Sequence, residues 1–192
     1  MRFEPTGLAG AWLIRTEPHG DSRGRFGRIY CEREFAAQGL TRPLVQASLS
    51  FNRARGTVRG LHFQWPPSRE AKLIRCVRSA VFDAIVDLRP DSSTFLRHFT
   101  TELTEDNQLS LYVPEGFAHG FQSVRDDSEL LYQMTDFYSP ELSTGFRFDD
   151  PAFAVAWPGP VTEMSDRDRA AEEFDRARYT REYATRTAQS SS

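Results

Sequence analysis

VFDAIVDLR, Val81 to Arg89, decides the architecture of this chain of 192 residues. Read as a strand, it puts Phe82, Ala84, Val86 and Leu88 on one face and Val81, Asp83, Ile85 and Asp87 on the other. The first face is wholly apolar and the second is mixed. Working outward, runs rich in β-branched and aromatic residues recur between turn signals: AWLIRTE (11–17), LVQASLSF (44–51), GTVRGLHFQ (56–64), AKLIRCV (71–77), RHFTTEL (97–103), LSLYVP (109–114), GFAHGFQSV (116–124) and ELLYQMTDFY (129–138). A spacing of about 8 to 12 residues between short strands predicts an all-β sandwich or barrel rather than alternating βαβ units.

Helical signals are few. CEREFAAQGL (31–40) reads as one short helix near residue 35, closed by Gly39. SDRDRAAEEFDRARYTREYATR (165–186) reads as a single C-terminal helix with Ser165 as its N-cap and acids in the first turns. A chain of this length supports one core, so the expected organisation is a single domain over 1–182 and a disordered tail over 183–192, TAQSSS at its end.

Composition excludes several classes of function. The 24 basic and 27 acidic residues sum to -3, which leaves no broad positive footprint for nucleic acid. Two cysteines, Cys31 and Cys76, without CxxC spacing suggest neither a disulfide framework nor a zinc site. No run approaches the ~18 apolar residues of a membrane span, and the N-terminus has no signal-peptide pattern, so a cytoplasmic setting is expected.

One detail of composition points to chemistry. Lys72 is the only lysine, the other 23 cationic residues being arginine. An ammonium is a compact point charge, whereas guanidinium is a planar fork. His62 lies ten residues earlier, in a strand where Gly60 and Gln64 share its face. If the two strands pair as a hairpin across the Trp-Pro-Pro loop, imidazole and ammonium reach one cavity. That combination suits proton abstraction beside a carbonyl: a neutral imidazole takes the proton and a cation holds the enolate oxygen.

RGLHFQ (59–64), AKLIRCVRSAVFDAIVDLRPDSSTF (71–95), YVPEGFAHGFQ (112–122), LLYQMTDFYSPE (130–141) and FDDPAFAVAWP (148–158) together resemble the dTDP-4-dehydrorhamnose 3,5-epimerase family, in order from about Asp21 to Asp168. The resemblance implies a cupin-type double-stranded β-helix, or jelly roll, usually a homodimer, that works without metal or cofactor. It implies epimerisation at C3 and C5, or at C3 alone, of a nucleotide-linked 4-keto-6-deoxyhexose, with a dehydratase and a 4-ketoreductase as pathway neighbours. On this sequence it makes His62 the base, Lys72 the residue facing the C4 oxygen, Tyr132 the acid on the opposite ring face and Asp168 the carboxylate that sets the histidine tautomer. It makes Arg23 and Arg59 pyrophosphate ligands, Gln46, Phe26, His119 and Tyr138 contacts to substrate or nucleobase, and Arg167 a further phosphate ligand.

Taken alone, Tyr132 reads equally well as a strand tyrosine, Asp168 as a solvated charge at a helix start, and Arg23 and Arg59 as surface cations. The chain departs from the family pattern at Ser79, where glycine is usual, at Arg25, where an aromatic is usual, and at Arg28, where many members carry an acid. The QxNxS pattern appears as Gln46-Ala47-Ser48-Leu49-Ser50. Two other readings stay open on the same fold: a metal-dependent cupin using His62, Gln64 and His119, and a sugar-nucleotide binding protein without turnover.

Overall fold

The computed structural model describes residues 1–189. Thirteen strands and three helices follow one another: β1 (Arg2–Pro5), β2 (Trp12–Arg15), β3 (His19–Asp21), β4 (Gly24–Phe26), α1 (Glu32–Ala36), β5 (Gln46–Asn52), β6 (Val58–Gln64), β7 (Lys72–Arg78), β8 (Ala80–Asp87), β9 (His98–Thr104), β10 (Leu109–Val113), β11 (Phe117–Ser123), β12 (Ser128–Met134), β13 (Ser143–Gly145), α2 (Asp166–Arg169) and α3 (Arg176–Gln189). Two antiparallel sheets face each other, one in the order β1-β2-β10-β7-β12-β5 and the other in the order β13-β6-β11-β8-β9, while β3 and β4 form a hairpin of their own. This is the all-β sandwich that the strand spacing predicts, and the jelly roll that the family resemblance implies.

Both faces of β8 are buried, and they do different work. Val86 and Leu88 point outward into a cluster with Leu61, Phe63, Phe146, Phe153 and Tyr179, which α3 covers. Val81 and Ile85, from the mixed face, point inward into the core between the sheets with Ile74, Leu111, Phe121 and Leu130. Asp83 is therefore an acid in the interior, fully buried. A third cluster, Ile14, Phe35, Leu73 and Tyr112, lies under α1 on the outside of the six-stranded sheet.

The connection between β6 and β7 differs from expectation. They do not pair: β6 lies between β13 and β11, and β7 between β10 and β12, in the opposite sheet. Pro66 and Pro67 have no N–H to donate to a ladder, and the loop they belong to carries the chain from one sheet to the other. His62 and Lys72 thus approach from facing sheets, not from neighbouring strands.

The single C-terminal helix is also corrected. α2 ends at Arg169 and α3 begins at Arg176. Between them Phe174 packs against Phe146, Phe153 and Tyr179, its N–H donating to Asp150 Oδ2 at 2.6 Å, and the Arg147 N–H donates to the Glu172 carbonyl. Burial of that ring outweighs helix continuity. α3 runs to Gln189, with Tyr183 packed on the outer core, so the expected boundary at 182 falls inside a helix. Residues 190–192 of the expected tail lie outside the described residues. Ser79, where the family pattern has glycine, adopts a left-handed φ of 63°, and its hydroxyl donates to the Asp126 carbonyl.

Candidate active site

The five-stranded sheet supplies the histidines. His62 on β6 stands opposite His119 on β11, and Arg59 stands opposite Phe121, so three residues of β6 span two of β11. Residues opposite one another share a face, and this bulge turns Arg59 and His62 to the interior side that Phe121 occupies. Gly60, at the bulge, has φ 106°, and a Cβ there would lie 2.6 Å from the His119 carbonyl oxygen. Only glycine permits that approach.

The six-stranded sheet supplies the tyrosine and the lysine. Tyr132 stands opposite Ser48 and Ile74, and Met134 opposite Gln46 and Lys72. Ile74 faces the inter-sheet core, so Gln46, Lys72 and Tyr132 face it as well. Lys72 and Tyr132 are diagonal neighbours, a relation that places Cβ atoms about 7 Å apart. The rings of Tyr132 and His119 meet edge to face, their centroids 5.8 Å apart, which closes the interior from both sheets.

Two histidine–carboxylate pairs sit within this frame. His62 Nε2 lies 2.7 Å from Asp168 Oδ1, the histidine side chain 42% exposed and the aspartate 7%. Ser165 caps α2 by accepting the Asp168 N–H, and the Gly60 N–H donates to Asp168 Oδ2. Burial opposes ionisation of Asp168, but the hydrogen bonds from His62 and Gly60 outweigh it and hold the carboxyl below the ordinary carboxylate range. With Asp168 ionised, Nε2–H donates to it and Nδ1 is left as the basic nitrogen.

The second pair is buried. His119 Nε2 lies 2.9 Å from Asp83 Oδ2, and Asp83 Oδ1 has no partner. Burial pushes the Asp83 carboxyl up, with His119 opposing. Burial, and after it the Asp83 charge, also pushes the Tyr132 hydroxyl well above its usual value. A phenol in that setting keeps its proton, so it can act as a donor.

The remaining expected residues divide into two groups. Arg59 Nε donates to Asn52 Oδ1, and Arg167 donates to Ser143; both line a cavity of about 450 Å³ with His62 and Asp168. Gln46 Oε1 accepts the Tyr138 N–H, which fixes the loop that carries the exposed Tyr138 ring. Arg23 and Phe26 are not gathered with the others. They sit on the β3–β4 hairpin, where Arg23 pairs with Asp21, Arg25 leans on the Glu105 carbonyl and Phe26 is 83% exposed.

Sequence reasoning missed two acids. Asp83 carried a signal, an acid at an alternating position in an otherwise apolar strand. Glu70 carried another: two residues before Lys72, its Oε2 lies 2.7 Å from Lys72 Nζ. Among the described residues no group of three or more His, Cys, Asp or Glu side chains is placed to hold a metal ion.

The comparisons with known proteins cover most of the chain. The family model described as dTDP-4-dehydrorhamnose 3,5-epimerase matches residues 5–176. The chain is 40% identical to the dTDP-4-dehydrorhamnose 3,5-epimerase of Sinorhizobium fredii, over 88% of this chain and 87% of that protein. It is 39% identical to the dTDP-4-dehydrorhamnose 3-epimerase of Streptomyces niveus, over 89% and 83%. The solved epimerase of Mycobacterium tuberculosis superposes with a TM-score of 0.89 at 35% identity, covering 95% of this chain and 93% of that one. Similarity over most of the chain, together with an interior holding paired histidines, a protonated tyrosine and one lysine, means that the protein belongs to the dTDP-4-dehydrorhamnose 3,5-epimerase family, isomerases that epimerise sugar nucleotides.

Proposed function

We propose that the chain inverts C3 and C5 of a dTDP-linked 4-keto-6-deoxyglucose, giving dTDP-4-dehydro-L-rhamnose. The supporting observation is that His62, bound to Asp168, and Tyr132 project into one interior from opposite sheets. His62 takes the proton from the carbon beside the carbonyl. The resulting enolate oxygen is held by Lys72, and Tyr132 delivers its proton from the other ring face. Solvent then returns a proton to Tyr132 and removes one from His62, restoring both for the second carbon. Arg59 and Arg167, beside the dyad, meet the diphosphate; His119, fixed by Asp83, meets the sugar; Gln46 and Tyr138 meet the base.

Arg23 and Phe26 act in trans on this reading. Their hairpin belongs to neither main sheet, and β5 leaves Leu49 62% and Phe51 43% exposed on its outer face. A second copy packed on that face forms a homodimer whose hairpin completes the neighbouring site. The setting proposed is cytoplasmic, where a dehydratase supplies the 4-keto sugar and a 4-ketoreductase consumes the product.

Incubation in D2O with the TDP, CDP, GDP and UDP forms of the 4-keto sugar tests the proposal. Deuterium is expected at C3 and C5 of the TDP form. Deuterium at C3 alone would identify a 3-epimerase, as in the relative from Streptomyces niveus, and no exchange with any nucleotide would end the epimerase reading.

A further inference from the structure

We propose that Glu70 is a positioning residue for Lys72, so that the substrate's carbonyl oxygen meets one member of a buried ion pair rather than a free ammonium. The inference rests on the role given to Lys72 above and adds a group that neither the sequence reading nor the family comparison assigns.

The geometry is specific. Lys72 Nζ and Glu70 Oε2 are 2.7 Å apart, and their side chains are only 15% and 9% exposed. The segment that carries Glu70 is anchored on both sides. The Glu70 N–H donates to Ser68 Oγ, Ser68 Oγ and the Arg69 N–H both bond Asp136 Oδ2, and the Ala71 N–H donates to Thr135 Oγ1 at 2.8 Å. Glu70 is thus carried on an anchored stretch of backbone at the point where the chain enters β7.

Three consequences follow from elementary chemistry. A lysine side chain has four rotatable bonds, and a carboxylate held on an anchored segment narrows its many conformers before substrate arrives. An ammonium has three donors, and an ion pair with a single carboxylate leaves donors for the oxygen that becomes negative. A buried cation without a counter-charge is strongly disfavoured, and Glu70 removes that penalty while the site is empty.

The same arrangement accounts for the one position where this arginine-rich chain keeps lysine. An arginine at position 72 would close a two-pronged pair with Glu70, because guanidinium and carboxylate match as parallel forks. Its donors would then point at the acid and away from the substrate.

The chain's single lysine makes the test direct, since protein labelled with 15N and 13C in lysine side chains gives one signal without assignment. In the wild type a slowly exchanging ammonium correlation is expected, and Glu70→Gln should lose it. With the 4-keto sugar nucleotide, Glu70→Gln should lower kcat by about tenfold or more while KM changes less than about threefold. Deuterium wash-in at C3 and C5 should fall by one common factor, because both carbons flank the same carbonyl, and Glu70→Asp should restore part of the rate. In a Lys72→Met background Glu70→Gln should cost nothing further. An unchanged lysine signal and kcat in Glu70→Gln, or a full additional loss on top of Lys72→Met, overturns the inference. A wild type that exchanges no deuterium, yet whose lysine signal depends on Glu70, upholds the clamp and removes the epimerase reading alone.

Discussion

On the proposed mechanism a proton on the wrong nitrogen silences His62, and Asp168, 2.7 Å from Nε2, decides which nitrogen carries it. Asp168→Asn is therefore expected to lower deuterium wash-in by about 10² or more, within the range that a positioned base contributes. His62→Ala should abolish exchange at both carbons, and Tyr132→Phe should impair product formation more than wash-in. The two buried acids should respond to pH in opposite senses. Asp168 is held below its ordinary value, so its contribution to stability is full above pH ~4 and is lost as pH falls through the folded-state pKa. Asp83 is held above its ordinary value, so its cost is full above its folded-state pKa and vanishes below pH ~4. Thermal melts at pH 7 should show Asp168→Asn destabilised by about 1–2 kcal/mol and Asp83→Asn no less stable than the parent. The proposed reacting side chains were legible through family resemblance. Asp83 and Glu70 were not, because their importance lies in partners 36 and two positions away that only the fold and the rotamers reveal.

Among elements, α2 is the shortest helix and carries a proposed catalytic carboxylate in its first turn. Ser165→Ala removes the cap and should cost about 1 kcal/mol of stability. Because Asp168 is the residue whose N–H the cap holds, the same variant should slow turnover several-fold, read as kcat beside the melting temperature. Gly60→Ala should be far more damaging, since its Cβ would strike backbone at 2.6 Å. Alternation and spacing made nine runs readable as strands. They could not show which of them pair, so the crossover from β6 to β7 was mistaken for a hairpin. Nor could helical composition reveal that Phe174 would leave the helix to join three other aromatic rings. The short β1, β3, β4 and β13 carry too few residues for a period to register.

For the whole molecule, apolar exposure on one side is the prediction's starting point. Leu49 and Phe51 on β5 and Val45 just before it are exposed together, and Phe26 on the separate hairpin, more than scattered surface residues require. On the proposed homodimer, Leu49→Glu is expected to give a folded monomer by light scattering and to lose activity about tenfold or more, because the hairpin's Arg23 and Phe26 would no longer reach a neighbouring site. A variant that stayed dimeric and fully active would remove the shared-site reading. The crossover at Pro66 and Pro67 has a mechanical meaning as well. His62 belongs to one sheet and Lys72 to the other, so the gap between proposed base and cation is the thickness of the sandwich, roughly 10 Å between backbones, minus two side chains. Neither strand sets that gap; the aliphatic filling does. Enlarging Ile85, which lies in the filling beside His119 on β11, would act as a shim, prising the jaws apart and slowing catalysis without touching a reacting group.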